Sequence, residues 1–255
     1  YDVKQIAYMN SVHAKMYYGS EIHEIFRMWP INPHFYQDVI NRYKSKNERK
    51  ILFRFLEYYL SSIPHTEELT SKQLENKHFD TLVLGSDILW DYSISFYNHD
   101  PYVFGNHIKA KNKISYAASF GTVKPRGNHP NYVKNGLSHL NAISVRDENS
   151  VQICEDLVDT KVKLVLDPTL LWSFNDDKNI KRMDPGYKYI VVYGSYFTNE
   201  QIDYVRKYAT DNELKIVYLD SYGDKCNWCD FFIPAGSITP FEWCSYIRYS
   251  EFLMK

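Results

Sequence analysis

With 255 residues, thirty of them Lys or Arg against thirty-one Asp or Glu, the chain carries a formal net charge of −1. That balance excludes the general attraction to nucleic acid that a basic excess produces, while the length allows two modest domains, each with its own core. No stretch reaches the eighteen or so uninterrupted apolar residues of a membrane span, and Tyr1-Asp2-Val3-Lys4 lacks the charged and apolar regions of a signal peptide, so a soluble, cytoplasmic protein is expected.

In chain order, Tyr1 to Tyr8 alternates apolar and polar side chains as a half-buried strand does, and it enters a first domain midway. The start at tyrosine rather than methionine points to a trimmed chain. From His34 to about Leu60, Phe35, Val39, Ile40 and Tyr43, then Ile51, Leu52, Phe55, Leu56 and Tyr59, recur at helical spacing and predict two amphipathic helices, or one broken near Lys46-Asn47. Arg42, Lys44, Lys46, Arg49, Lys50 and Arg54 form a basic run there, which is either a solvated helix face or a surface for peripheral contact with a membrane.

Four short strand patterns follow. Phe79 to Leu84 ends in Gly85-Ser86-Asp87; Lys113 to Ala118 ends in Ser119-Phe120-Gly121; Ala142 to Val145 runs into Arg146-Asp147-Glu148; Val162 to Leu166 closes on Asp167-Pro168. Helical patterns at Tyr132 to Leu140 and Asn149 to Val158 separate them, and such alternation predicts an α/β domain with a parallel sheet, spanning 1–174. A polar stretch at 175–187 reads as a linker. A second alternation then begins: strand Lys188 to Tyr193, a turn at Gly194-Ser195, helix Asn199 to Thr210, strand Leu214 to Leu219, helix Pro240 to Tyr249, and the first residues of a strand at Glu251 to Met254. This predicts a second α/β domain over 188–255, incomplete at its end.

The four cysteines are too few for a disulfide framework, so reduced thiols are expected, with Cys154 buried on a helix. Cys226-Asn227-Trp228-Cys229 has the spacing of a metal or redox pair. A structural zinc needs four ligands, however, and no histidine follows His139, so no metal is expected and the pair reads as ordinary loop cysteines.

The chemistry-bearing candidates lie at the strand ends, where open α/β sheets place ligands. Arg146, ahead of a helix amino terminus, joins a planar cation to unpaired N–H groups and suits a phosphate or carboxylate; equally, it could pair with acidic neighbours while Asp147 or Asn149 caps the helix. Gly85, Ser86 and Asp87 offer close backbone approach, a hydroxyl and a carboxylate, or else a turn whose Asp caps the next helix. Ser119 and Gly121 carry the same two readings, and Asp167-Pro168 reads as a helix start. Phosphate-loop, dinucleotide-fingerprint, zinc-pair and nucleophile-elbow motifs are absent from the sequence.

In order and content these segments resemble the polysaccharide pyruvyl transferase family. The resemblance is carried by Phe79-Asp80 through Gly85-Ser86-Asp87-Ile88-Leu89-Trp90, Ile114 through Gly121, Ile143-Ser144-Val145-Arg146-Asp147, and Val165-Leu166-Asp167-Pro168-Thr169-Leu170-Leu171, with weaker likeness to Pro240-Phe241-Glu242-Trp243 and Tyr249. It implies two Rossmann-like domains of glycosyltransferase-B type and a transferase that moves the enolpyruvyl group of phosphoenolpyruvate onto a sugar, or a lipid-linked oligosaccharide precursor of a surface polysaccharide, as a pyruvate ketal. It implies no cofactor beyond phosphoenolpyruvate as donor substrate, Arg146 as the donor-binding residue, and a cleft drawn from Gly85, Ser86, Asp87, Ser119, Gly121, Asp147 and Asp167. The family's catalytic histidine is expected beyond Lys255, so none lies within the chain, and the family's opening strand and glycine loop are expected ahead of Tyr1. A sugar-nucleotide-dependent glycosyltransferase and a non-catalytic carbohydrate-binding relative are the alternatives.

Overall fold

The computed structural model describes residues 2–10, 12, 63–85, 87–95, 99–173, 177–181, 185–194, 197–220, 226–234 and 237–254. These fall into two compact units, one up to Ser173 and the other from Asp177 onward. The helices expected between His34 and Leu60, their basic run, Ser86 and Ser195 lie outside the described residues. Among the described residues no helix is long and apolar enough to cross a membrane.

In the first unit a short helix, α1 (Ser71–Asn76), precedes β1 (His78–Gly85), which pairs in parallel with β2 (Lys109–Tyr116) from His78↔Lys109 to Gly85↔Tyr116. A 3-10 turn at Pro101–Phe104 lies between them. Next come α2 (Asn131–Ser138), β3 (Ile143–Val145), α3 (Glu148–Leu157) and β4 (Val162–Leu164). β3 and β4 pair in parallel, and parallel bridges Ile114↔Ala142 and Ala118↔Val145 join β2 to β3, giving the order β1-β2-β3-β4. One core gathers Leu82 and Leu84 of β1, Ile143 and Val145 of β3, Val133 and Leu137 of α2, and Ile153 of α3 around three aromatic rings. Trp90 stacks on Phe104 with centroids 5.5 Å apart and tilts against Phe120 at 5.2 Å, while its indole N–H donates to the Val103 carbonyl at 3.0 Å.

The second unit has β5 (Tyr189–Gly194), α4 (Asn199–Asp211), β6 (Lys215–Asp220), β7 (Phe231–Ile233), α5 (Pro240–Arg248) and β8 (Phe252–Met254) in one parallel sheet of order β7-β6-β5-β8. β5 is apolar on both faces because both are covered. Ile190 and Val192 pack against Val205 and Ala209 of α4, whereas Tyr189 and Val191 lie in a separate cluster with Trp243, Tyr246 and Ile247 of α5. Both helices are opened by capping boxes, Thr198 with Gln201 and Thr239 with Glu242, and Pro240 sits at the first helical position.

Two sequence expectations need correction, and one strand carries no sequence signal. Residues 5–8 form no regular strand; they make only the isolated parallel bridges Gln5↔His65 and Tyr8↔Leu69, because Tyr8 N donates back to Ile6 O at 3.0 Å and interrupts the extended run. β7 carries no alternation long enough to read and forms because Phe231 to Ile233 adds to the edge of β6. The thiols are not all reduced: a tight turn brings Cys226 and Cys229 to a Cα separation of 6.2 Å, within disulfide range, and they are bonded, while Cys154 and Cys244 are free.

Because Trp90 is fully buried among two rings and its N–H is satisfied, Trp90→Ala should cost about 3–5 kcal/mol of first-unit stability, read as a lowered urea midpoint.

Candidate functional site

The site is built where three strands of the first unit end. Immediately after β3, the Arg146 amide donates to Ala118 O at 3.3 Å, fixing the residue against the loop that leaves β2. Its guanidinium then reaches residues that follow two other strands: Nη1 donates to Asp167 Oδ2, beyond β4, at 2.5 Å, and Nη2 to Asp87 Oδ1, beyond β1, at 3.0 Å. The partners differ in exposure. Arg146 and Asp167 side chains are 23% and 25% exposed, whereas Asp87 is 79% exposed. Asp167 is held further by Thr169, whose amide and hydroxyl donate to Oδ1 at 3.0 and 2.7 Å. These Thr169 contacts, together with Arg146, hold its carboxyl below the usual carboxylate range. Burial works against the charge of Arg146, but its two carboxylate partners outweigh that and raise its pKa.

Next to this cluster, one buried carboxylate binds the loops leaving β1 and β2 together. Asp91 is fully buried and accepts four hydrogen bonds: the Ser93 amide at 3.1 Å and hydroxyl at 2.5 Å on Oδ1, and the Thr122 amide at 2.7 Å and hydroxyl at 2.8 Å on Oδ2. Burial opposes ionisation, yet these bonds prevail and hold the carboxyl below its ordinary range. A further tie runs from Trp90 N to Ser119 O at 3.1 Å, and Asn149 of α3 donates to Val123 O at 2.9 Å. Gly121 has φ +55°, and a Cβ there would lie 2.5 Å from Asp91 Oδ2, so glycine is required for both backbone and space.

The sequence-predicted residues therefore divide. Asp87, Arg146 and Asp167 are brought into direct contact. Gly85 sits at the end of β1, where an added Cβ would collide with Tyr116 O. Ser119 is buried and accepts from the Gly121 amide at 3.0 Å, so it shapes its own turn. Asp147 caps α3, accepting from the Ser150 amide at 2.8 Å, and Glu148 adds negative charge to that first turn, so this helix end is already compensated by its own acids. Asp87 does not cap a helix; a turn follows it and its carboxylate faces Arg146. Sequence reasoning missed Asp91, although an Asp directly after Ile88-Leu89-Trp90 is a charge embedded in an apolar run. It also missed Tyr92 and His129, whose hydrogen bond of 2.7 Å joins residues thirty-seven apart and leaves no local signature.

Among the described residues no three or more His, Cys, Asp or Glu side chains gather to hold a metal. Two open concavities, of about 610 and 600 Å³, lie elsewhere: one beside Lys215 and Asp230 and the other beside His78 and Lys109. Both are at the amino ends of strands, opposite the end where parallel sheets bind ligands.

Parallel sheets with helical crossovers, and a charged cluster at the carboxyl ends of the strands, define a Rossmann-like α/β protein. Within that class the match is specific: the model of the family described as polysaccharide pyruvyl transferase covers residues 18–254, and the chain belongs to that family. No curated protein and no solved structure matches it.

Removing the buried carboxylate in Asp91→Ala strands four donors and should cost about 2–4 kcal/mol in urea unfolding. Since the folded-state pKa of Asp91 is depressed, its contribution is present above the ordinary carboxylate pKa of about 4 and is lost as pH falls through the lower folded value. Wild-type stability should therefore drop on acidification below about pH 4, and Asp91→Asn should show a shallower dependence across the same window.

Proposed function

We propose that the protein transfers the enolpyruvyl group of phosphoenolpyruvate to two hydroxyls of a saccharide, releasing phosphate and leaving a pyruvate ketal. Family membership supports a transferase acting on polysaccharides. The observation that carries the finer reading is the Arg146 guanidinium, fixed at the carboxyl end of β3 by partners of unequal hold. In the reaction a proton adds to the methylene carbon and positive charge develops at C2. One acceptor oxygen bonds there as its proton leaves, the C2–O bond to phosphate breaks with its electron pair departing on the phosphate, and the second hydroxyl oxygen bonds to C2 and loses its own proton, closing the ketal. Of the two protons lost, one balances that added to the methylene carbon and the other goes with the phosphate. A planar bidentate cation suits the carboxylate or phosphate of the donor. We infer further that the two α/β units are the two Rossmann-like lobes of a glycosyltransferase-B protein.

Arg146 faces two carboxylates, a local balance that repels an anionic donor. Asp167 is anchored by Thr169 and less exposed; Asp87 is exposed, and an exposed ion pair contributes little. Donor binding therefore exchanges Asp87 for a donor oxygen on Nη2 while Asp167 keeps Nη1 in place.

Phosphate release from phosphoenolpyruvate, measured with a panel of saccharide acceptors, tests this. Acceptor-dependent release is expected in the wild type, Arg146→Ala should lose it by a hundredfold or more, on the order of 3 kcal/mol, and Asp87→Asn should lower the donor KM several-fold. Release from sugar nucleotides instead, or an Arg146→Ala enzyme with unchanged kinetics, defeats the reading.

A further inference from the structure

Beside the Arg146 cluster, the loops leaving β1 and β2 present three hydroxyl groups whose protons are all committed inward. Ionised Asp91 can only accept, so the Ser93 hydroxyl must point its hydrogen at Oδ1 and the Thr122 hydroxyl its hydrogen at Oδ2. The third is fixed by a histidine. His129 Nε2 lies 2.9 Å from the Pro125 carbonyl, which only accepts, so Nε2 carries the proton; in the neutral ring Nδ1 is then bare and receives the Tyr92 hydroxyl at 2.7 Å. Each hydroxyl has spent its donor and keeps lone pairs.

Ser93 and Thr122 are exposed, with their oxygens 3.3 Å apart, and Tyr92 and His129 beside them in the chain and across the hydrogen bond are half-buried. The Tyr92 ring stands edge-on to Phe120 of the core at 6.5 Å and to His129 at 6.3 Å, which holds it in one place. The result is a pair of pre-oriented acceptors at Ser93 and Thr122, and a third at the neighbouring aromatic residue Tyr92, without a donor among these three groups. That surface mismatches an anion, whose oxygens also only accept. It matches a ligand that presents several O–H donors in a row and an apolar ring face, which is the chemistry of a neutral sugar.

We propose that Tyr92, Ser93 and Thr122, with Tyr92 oriented by His129, form a binding subsite for the hydroxyls of a neutral saccharide. Calling that saccharide the acceptor rests on the transferase reading above; the binding itself does not. Asp91 is its positioning residue, since it fixes two of the three hydroxyl rotors. The position agrees with the chemistry: both loops leave the carboxyl ends of paired strands, and Asn149 of α3, three residues beyond Arg146, is bonded to the same β2 loop.

The experiment is saturation-transfer NMR of the protein with methyl glycosides of galactose, glucose and mannose at tens of millimolar, without phosphoenolpyruvate. At least one glycoside should receive saturation at its ring protons. Tyr92→Phe, which keeps the ring and loses the oxygen, and Ser93→Ala, which leaves the Asp91 bond to the Ser93 amide, should each weaken binding several-fold while circular dichroism stays unchanged. The per-O-methylated form of the bound glycoside, which has no donors, should not bind. Transfer to none of the glycosides, equal binding by both folded variants, or equal binding of the O-methylated sugar would overturn the proposal. Saccharide binding without acceptor-dependent phosphate release would leave the subsite standing and remove the transferase reading.

Discussion

A carboxylate with no access to water must find a donor for every lone pair it can, and Asp91 finds all four of its donors in two loops. Much of the first unit's active end follows from that requirement. The loop after β1 must turn tightly enough to place Asp91 under Ser93; the loop after β2 must bring Thr122 to the other oxygen. Gly121 must remain glycine so that the backbone can pass the carboxylate. Trp90, the residue before Asp91, is then driven into the core against Phe104 and Phe120, so the apolar packing and the buried charge reinforce one loop position.

The Arg146 cluster depends on the same framework by a different route. A guanidinium can join the segments that follow β1 and β4 only if the strands are held in register, and the parallel pairings through β1, β2, β3 and β4 hold them. The two ion pairs are unequal by construction, one tied by Thr169 and the other left to solvent, and this inequality lets a cation be both fixed and available. Polar groups around it are specialised by what they can no longer do. The α3 amino terminus is filled by Asp147 and Glu148, Ser119 serves its own turn, and the hydroxyls of Tyr92, Ser93 and Thr122 are left as acceptors. A guanidinium held by two carboxylates and hydroxyls that donate inward thus stand on adjoining loops of one sheet.

In the second unit the sheet alone sets the order. β5 carries apolar side chains on both faces because α4 covers one and α5 the other, and β8 joins β5 on the side away from β6. The strand order thus reverses between β5 and β8, the kind of position at which open α/β sheets generally bind ligands.

The sequence by itself determined the α/β alternation, most element positions to within a residue or two, and the family, because apolar periodicity, capping residues and glycine turns are local and leave their mark in consecutive letters. It pointed to Arg146, Asp87 and Asp167 one at a time, since a charged residue at a strand end is visible, but it left open whether each was a cap or a ligand group. Asp167 does open a short helix at Pro168–Leu170, as the sequence suggests, but only the tertiary structure decided that Asp87 and Asp167 pair with Arg146, for those contacts join residues fifty-nine and twenty-one positions apart through strand order. It alone closed the Cys226–Cys229 pair, denied a ladder to residues 5–8, and joined Asp91 to Thr122 and Tyr92 to His129. For the contacts between distant residues the reason is shared: hydrogen bonds and ion pairs are short-ranged in space and indifferent to separation along the chain, so their partners exist only once the sheet has set which loops are neighbours.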